Sequence, residues 1–242
     1  MSAAKAVDLV FGASSAIAQA LLKRWLAQST RSAVAVSRGV PEVNELDAIE
    51  WLSCDYSEEG LSRVVAHLAA RRVEVARLVI CNGVLQGEDY RPERALGQIT
   101  ALGLESVFEV NTFLPMRILS ALTPVLKTSS YPKIAVLSAR VGSIGDNRLG
   151  GWYSYRGSKA ALNMMLKCAA LEFRRLNPQA KLIAYHPGTV DTPLSRPFQN
   201  SVAPESLLTP ERAAEALDRV IQQAEPDGEL AYLDWRGEPI PW

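Results

Sequence analysis

The sequence predicts an α/β domain built on one parallel sheet of about seven strands, doubly wound by helices on both faces. Three observations lead there. Short apolar runs of strand length alternate with helix-period segments along the whole chain. The polar and small-residue stretches that carry chemistry each fall just after a strand-like run, where ligand crevices open in such sheets. The apolar fraction, 48% of 242 residues, supports one substantial core. Alternating strands and helices imply right-handed crossovers and a parallel sheet. No linker or repeat divides the chain, so 1–242 reads as a single domain.

The elements follow in order. Residues 6–11 form a short apolar run, and Gly12-Ala-Ser-Ser15 turns the chain. Residues 16–27 place Ile17, Leu21, Leu22, Trp25 and Leu26 at helical spacing. Residues 33–36 are a second strand ending at Ser37-Arg38-Gly39, and 49–54 a third ending at Asp55. Ser57 has the chemistry of a helix N-cap, with Glu58 and Glu59 in the first turn. Residues 78–81 are a fourth strand before Asn82-Gly83. A long helix covers about 100–126, with Asn111 mid-length and Pro115 expected to bend it or end its first half. Residues 133–137 are a fifth strand. A glycine-rich loop over 142–151 leads into a helix that runs to residue 176. Residues 181–185 are a sixth strand, followed by His186-Pro-Gly-Thr-Val-Asp-Thr-Pro193. The stretch 193–208 reads as a substrate loop or lid. Thr209 caps a helix with Pro210 at its first position, and 229–234 is the last strand.

Lys plus Arg and Asp plus Glu are equal at 26 each, and no basic block points to nucleic acid. No apolar run is long enough for a membrane span. The N-terminus runs into a strand and does not read as a signal peptide. The three cysteines, Cys54, Cys81 and Cys168, are far apart and read as reduced thiols in a cytoplasm. No His/Cys/Asp cluster has metal-ligand spacing.

Tyr155 and Lys159, one helical turn apart, are the chief catalytic candidates. A phenol with a pKa near 10 is a poor acid/base at neutrality. An ammonium one turn away favours the phenolate and makes the pair fit to exchange a proton with a carbonyl or alcohol oxygen. An isolated pair of this kind is usually a surface Tyr and Lys, so the surroundings decide. Gly12-Ala-Ser-Ser-Ala-Ile-Ala18, with Ser14, Ser15, Ala16 and Ile17 at a helix start, would hold a pyrophosphate on free N–H groups and the helix dipole. A tight strand-to-helix turn is the alternative. Ser37 and Arg38 end the second strand without an acid, which suits a 2′-phosphate and hence NADPH over NADH; a solvated arginine is the alternative. Asp55, with the adjoining Tyr56, would take the adenine, or merely cap the next helix. Asn82-Gly83 lets the chain pass close to a cofactor, or makes a plain turn.

Together these residues resemble the short-chain dehydrogenase/reductase family over essentially the full chain. The motifs are Gly12-xxx-Ala16-x-Ala18, Asp55, Asn111, Tyr155-xxx-Lys159 and Pro187-Gly-Thr-Val-Asp-Thr192. Gly142-Ser-Ile-Gly-Asp-Asn147, Gly150-Gly-Trp-Tyr-Ser-Tyr-Arg-Gly-Ser-Lys159 and the ending Glu238-Pro-Ile-Pro-Trp242 resemble its subgroup of small carbonyl reductases that includes bacterial C-factor proteins and the insect sniffer enzyme. The resemblance implies a Rossmann-type fold and hydride transfer between NADP(H) and a small carbonyl or alcohol substrate. In it Tyr155 is the acid, and Lys159 holds the nicotinamide ribose and depresses the Tyr155 pKa. Asn111 seats a water in a proton relay, and Pro187, Gly188, Val190 and Thr192 wrap the nicotinamide amide. It also implies a homodimer or homotetramer, often built on the Asn111 and Tyr155 helices.

Three departures stand out. The family's paired serines after the fifth strand read Ser138-Ala139, so the carbonyl-polarising position is alanine, and Ser143 is the candidate substitute. Asn-Asn-Ala-Gly reads Ile80-Cys-Asn-Gly83, and Ala16 and Ala18 stand where glycines are usual. These departures motivate a rival reading, a nucleotide-sensing or partner-binding protein with little catalysis. Trp152, Tyr153, Leu194 and Phe198 are read as pocket-shaping residues, His186 as positional, and His67 as solvated.

Overall fold

A computed structural model describes residues 5–39, 49–201 and 203–242. The first four residues, on which the signal-peptide reading rests, and Val202 of the substrate loop lie outside the described residues. The strands are β1 (Lys5–Phe11), β2 (Ser32–Ser37), β3 (Ile49–Ser53), β4 (Val73–Ile80), β5 (Lys133–Leu137), β6 (Lys181–His186), β7 (Thr189–Val190), β8 (Leu207–Leu208) and β9 (Leu230–Asp234). The α-helices are α1 (Ala16–Gln28), α2 (Glu58–Ala70), α3 (Ala101–Phe108), α4 (Leu114–Leu126), α5 (Tyr153–Leu176) and α6 (Pro210–Gln223).

Seven strands form one sheet in the order β3-β2-β1-β4-β5-β6-β9, all parallel. Each strand shows its two faces to two separate cores, as a sheet covered on both sides requires. Leu9 and Phe11 of β1 meet α2, α4 and α5 through Leu61, Ile118 and Leu162. Val10 faces the opposite way, with Leu21 of α1 and Leu217 of α6. The strand order reverses between β1 and β4, which opens a crevice at the carboxyl ends of these strands.

Two expectations change. β4 begins at Val73, five residues before the expected start; the added stretch, 73–77, carries the polar Glu74 and Arg77, which hid it. The Arg77 side chain is buried, with Nε 2.7 Å from Asp8 Oδ1 and Nη1 3.0 Å from Asp218 Oδ1. Its guanidinium lies 3.9 Å above the Trp25 ring, whose Nε1 donates to Asp218. The long helix is interrupted at Asn111, and not by Pro115. A π turn covers Glu109–Phe113, and the Leu114 N–H reaches back five residues to the Glu109 carbonyl. Pro115 falls in the first turn of α4, where a missing N–H costs little. The 193–208 stretch carries 3₁₀ turns and β8, which pairs in parallel with β7. Among the described residues no helix is long and apolar enough to cross a membrane.

Candidate functional site

A cleft of about 870 Å³ opens at the carboxyl ends of the central strands. Its floor begins at the turn between β1 and α1. Gly12 adopts φ +69°, and a Cβ there would lie 2.8 Å from the Asn82 nitrogen, so only glycine fits between β1 and β4. Ser15 caps α1 by accepting the Ala18 N–H at 3.3 Å. The N–H groups of Ala16 and Ile17, first in the helix, have no intrahelical acceptor. Ser14, Ser15, Ala16 and Ile17 all line the cleft. The Ala16 methyl therefore intrudes on it, whereas Ala18 is buried in the core under α1.

Cys81, Asn82 and Gly83 follow β4 into the same wall. Burial pushes the Cys81 thiol up to about 12, so it stays protonated and inert. Asn82 Oδ1 is buried without a donor. The first-turn N–H groups and this orphaned acceptor fit a nicotinamide dinucleotide, which brings phosphate oxygens and hydroxyl donors. Pro187, Gly188, Val190 and Thr192 line the far wall after β6. Gly188 is held at φ +77° against Trp235 and Leu208.

Tyr155 and Lys159 project from the first turns of α5 into the cleft between these walls. Lys159 Nζ donates to the Leu137 carbonyl at 2.8 Å and stands 6.0 Å from the Tyr155 ring centroid. The expected lowering of the phenol is not what this arrangement gives. Burial raises Tyr155 to about 12 and lowers Lys159 to about 7. The reason is that burial penalises the charged form of each group, and the ammonium faces a ring and a main-chain oxygen rather than the phenolic oxygen.

Asn111 is fully buried and its side chain is spent on structure. Oδ1 accepts the Val84 N–H at 2.8 Å, and Nδ2 donates to the Val84 carbonyl at 2.9 Å and to Ser158 Oγ at 3.1 Å. Ser158 Oγ in turn donates to the Tyr155 carbonyl at 2.8 Å. The π turn thus clamps the loop after β4 to the first turn of α5. Any relay contact at Asn111 must therefore use its main-chain carbonyl. Pro115, four residues on, has no N–H to give that carbonyl.

Ala139 lines the cleft, as does Ser138, whose hydroxyl is 2.6 Å from Asn163 Oδ1. Ser143 does not line the cleft. It is buried, and its Oγ accepts the Asp146 N–H at 3.0 Å. The Asp55 carboxylate caps the start of α2, taking the Ser57 N–H at 3.1 Å and hydroxyl at 2.8 Å, which hold it below the usual carboxylate range. Tyr56 sends its hydroxyl under the first turn, 3.2 Å from the Gly12 nitrogen and 3.3 Å from the Val36 carbonyl. The Ser37 hydroxyl donates to the Gly39 carbonyl, and Arg38 is exposed at the end of β2. Of the aromatic candidates, Trp152 and Phe198 pack edge to face at 5.2 Å and line the cleft with Leu194. Tyr153 points away from the cleft and is exposed. His186 lines the cleft with a buried, unpartnered Nδ1, and burial lowers its pKa to about 4, so it is neutral at pH 7. His67 bonds Glu50 at 2.8 Å instead of standing free in solvent.

Two supports escaped the sequence reading. Glu93, buried in the irregular stretch before α3, accepts the Ser154 N–H at 3.2 Å and the Ser154 hydroxyl, while its carbonyl takes the Trp152 N–H. Trp152 itself is left-handed, at φ +52°, and offers no capping atom, so Glu93 caps α5 from outside. Tyr232 donates to the Ala139 carbonyl at 2.7 Å and stacks on Trp242, whose carbonyl receives the Gly145 N–H. No local pattern marks either residue.

The profile of the short chain dehydrogenase family matches residues 6–203. C-signal of Myxococcus xanthus is 32% identical over 149 residues, 61% of this chain and 84% of that protein. The 1-hydroxy-2-glutathionyl-2-methyl-3-butene dehydrogenase of Rhodococcus sp. (strain AD45) is 30% identical over 188 residues, 77% of this chain and 76% of that protein. Among solved structures, an NADPH-bound carbonyl reductase from chicken fatty liver superposes with a TM-score of 0.82 at 22% identity, covering 100% of this chain and 96% of that one.

Proposed function

The chain belongs to the short chain dehydrogenase family, and from that premise we propose that it is an NADPH-preferring reductase of a small or medium apolar carbonyl compound. Use of a nicotinamide cofactor by an oxidoreductase follows from the family; the direction, the preference and the residue roles are our reading. The observation that carries it is the position of Tyr155 and Lys159 between the α1 turn and the wall after β6.

A nicotinamide cofactor held between the α1 turn and the wall after β6 would supply hydride chemistry to a carbonyl carbon. Tyr155, protonated because burial holds its pKa high, donates its hydroxyl proton to the carbonyl oxygen. Lys159, which burial brings to about 7, can hold or release a proton beside the site at neutral pH, with the Asn111 carbonyl as the exit toward solvent. Ala16 to Ile17 hold the pyrophosphate. Arg38, exposed and ending β2, suits a 2′-phosphate.

Tyr155→Phe is expected to lower kcat for carbonyl reduction at least about 100-fold while NADPH still binds. A variant as fast as the wild type would sink the assignment. Arg38→Ala is expected to weaken NADPH by about tenfold and to leave NADH little changed in a fluorescence titration. Equal weakening of both would remove the case for 2′-phosphate recognition.

Ala139 favours the rival reading, a nucleotide sensor with little catalysis. A missing donor at a developing oxyanion costs about 10²–10³ in rate. NADPH binding without turnover across a carbonyl panel would select that reading.

A further inference from the structure

Arg156 lines the cleft and has no part in the chemistry above. It follows Tyr155 in α5, about 100° further round the helix, on the flank of the 149–152 loop. Its Nε faces the carbonyls of Gly150 at 3.2 Å and Gly151 at 3.0 Å. Those contacts fix the plane of the guanidinium, and among the described residues its two Nη groups have no acceptor.

The molecule treats its other arginines of this kind differently. Arg77 is met by Asp8 and Asp218, and Arg140 by Asp146 and Asp234. Among the described residues no carboxylate pairs with Arg156, and no Asp or Glu lines the cleft. Burial lowers its pKa below the ordinary arginine value, as expected of a half-exposed cation with no carboxylate beside it among the described residues. The nearby wall is apolar: Trp152 and Phe198 edge to face, with Leu149 and Leu194.

We infer that the substrate is an oxo acid: an apolar chain or ring whose carboxylate Arg156 receives on its two Nη groups while the carbonyl lies at Tyr155. A single planar fork suits a carboxylate, which takes it bidentately. Lys159 offers no second cation on that flank, since it is turned to the Leu137 carbonyl. The inference rests on the reductase reading for the role of Tyr155, but the anion site stands on Arg156 alone.

The test pairs turnover with binding. Benzoylpropionate and its methyl ester are compared as substrates with NADPH. Phenylbutyrate and phenylbutanol, which cannot be reduced, are titrated into the protein–NADPH complex by calorimetry. The wild type is expected to favour the acid over the ester by at least about tenfold in kcat/KM, and to bind the carboxylate at least about tenfold tighter than the alcohol. Arg156→Gln is expected to erase most of both ratios, the first chiefly through KM. Arg156→Lys, which keeps the charge without the fork, is expected to fall between, and guards against a folding defect in the first variant. Equal binding of carboxylate and alcohol by the wild type, or ratios unmoved in Arg156→Gln, overturns the inference. Ester reduction without preference for the acid sinks it and spares the reductase reading. Carboxylate binding through Arg156 with no carbonyl turned over keeps the anion site and sinks the reductase reading.

Discussion

At pH 7 Lys159 serves the proposed chemistry and burdens the fold. Its folded pKa, about 7, lies below that of the unfolded chain, near 10.5. Between those values the unfolded chain binds more protons, so this group's contribution to stability rises with pH from about 7 to about 10. Below 7 the penalty is at its full extent. Lys159→Met is therefore expected to raise the Tm at neutral pH while abolishing turnover, and the gain is expected to shrink as the pH approaches 10. A gain independent of pH would mean that the lysine is not held in the way the structure describes. At this scale the sequence was a good guide to position and a poor one to state. The four-residue spacing of Tyr155 and Lys159 was legible, because helix geometry turns spacing into proximity. The direction of the Tyr155 shift was not, because it depends on which atom the ammonium faces. Ser143 went the same way: its hydroxyl is taken by the Asp146 N–H three residues on and lies outside the cleft. For Asp55 the capping alternative is seen in its bonds to Ser57.

The elements carry the proposed catalytic residues through supports of a different kind. α5 starts at a left-handed Trp152 and borrows its cap from Glu93, 61 residues from Ser154. Glu93→Ala is expected to cost about 1–2 kcal/mol, a fall of roughly 2–8 °C in Tm for a chain of this size. It is also expected to lower kcat, because the freed turn holds Tyr155. Loss of stability with kcat intact would show that the cap does not position the tyrosine. Helix bodies were legible from their apolar period. This cap was not, since the capping rules look only a few residues ahead. The start of β4 was hidden for a related reason. Arg77 reads as polar, and only its distant partners Asp8 and Asp218 make it an interior residue.

For the whole molecule, the parallel sheet and its helices on both faces were legible from alternation, because a crossover hand and a buried sheet leave few topologies. What joins the two layers was not. Asp218 on α6 receives Arg77 of β4, Arg24 and Trp25 of α1, and Gln222. Asp218→Ala is expected to cost about 1–3 kcal/mol, since it leaves Trp25 Nε1 and Arg77 Nη1 buried without their acceptor while Asp8 still pairs the guanidinium. A urea midpoint within error of the wild type would contradict that. Phe113 of the π turn and Met164 and Met165 of α5 are exposed; a homo-oligomer built on these helices stays an expectation, which sedimentation would test.

A π turn holds one residue more than the α-helical turn it replaces. Asn111 therefore sits in what is, along the helix, a one-residue insertion. Removing one residue from 109–113 would let α3 and α4 join as a continuous α-helix with better backbone bonding. Because the wide turn absorbs the extra residue, Ile118, Leu119 and Leu122 would stay in phase with the core they fill. What the shortened chain would lose is the Asn111 clamp on Val84 and Ser158. The irregularity is thus kept by the polar contacts it carries and not by the packing downstream of it.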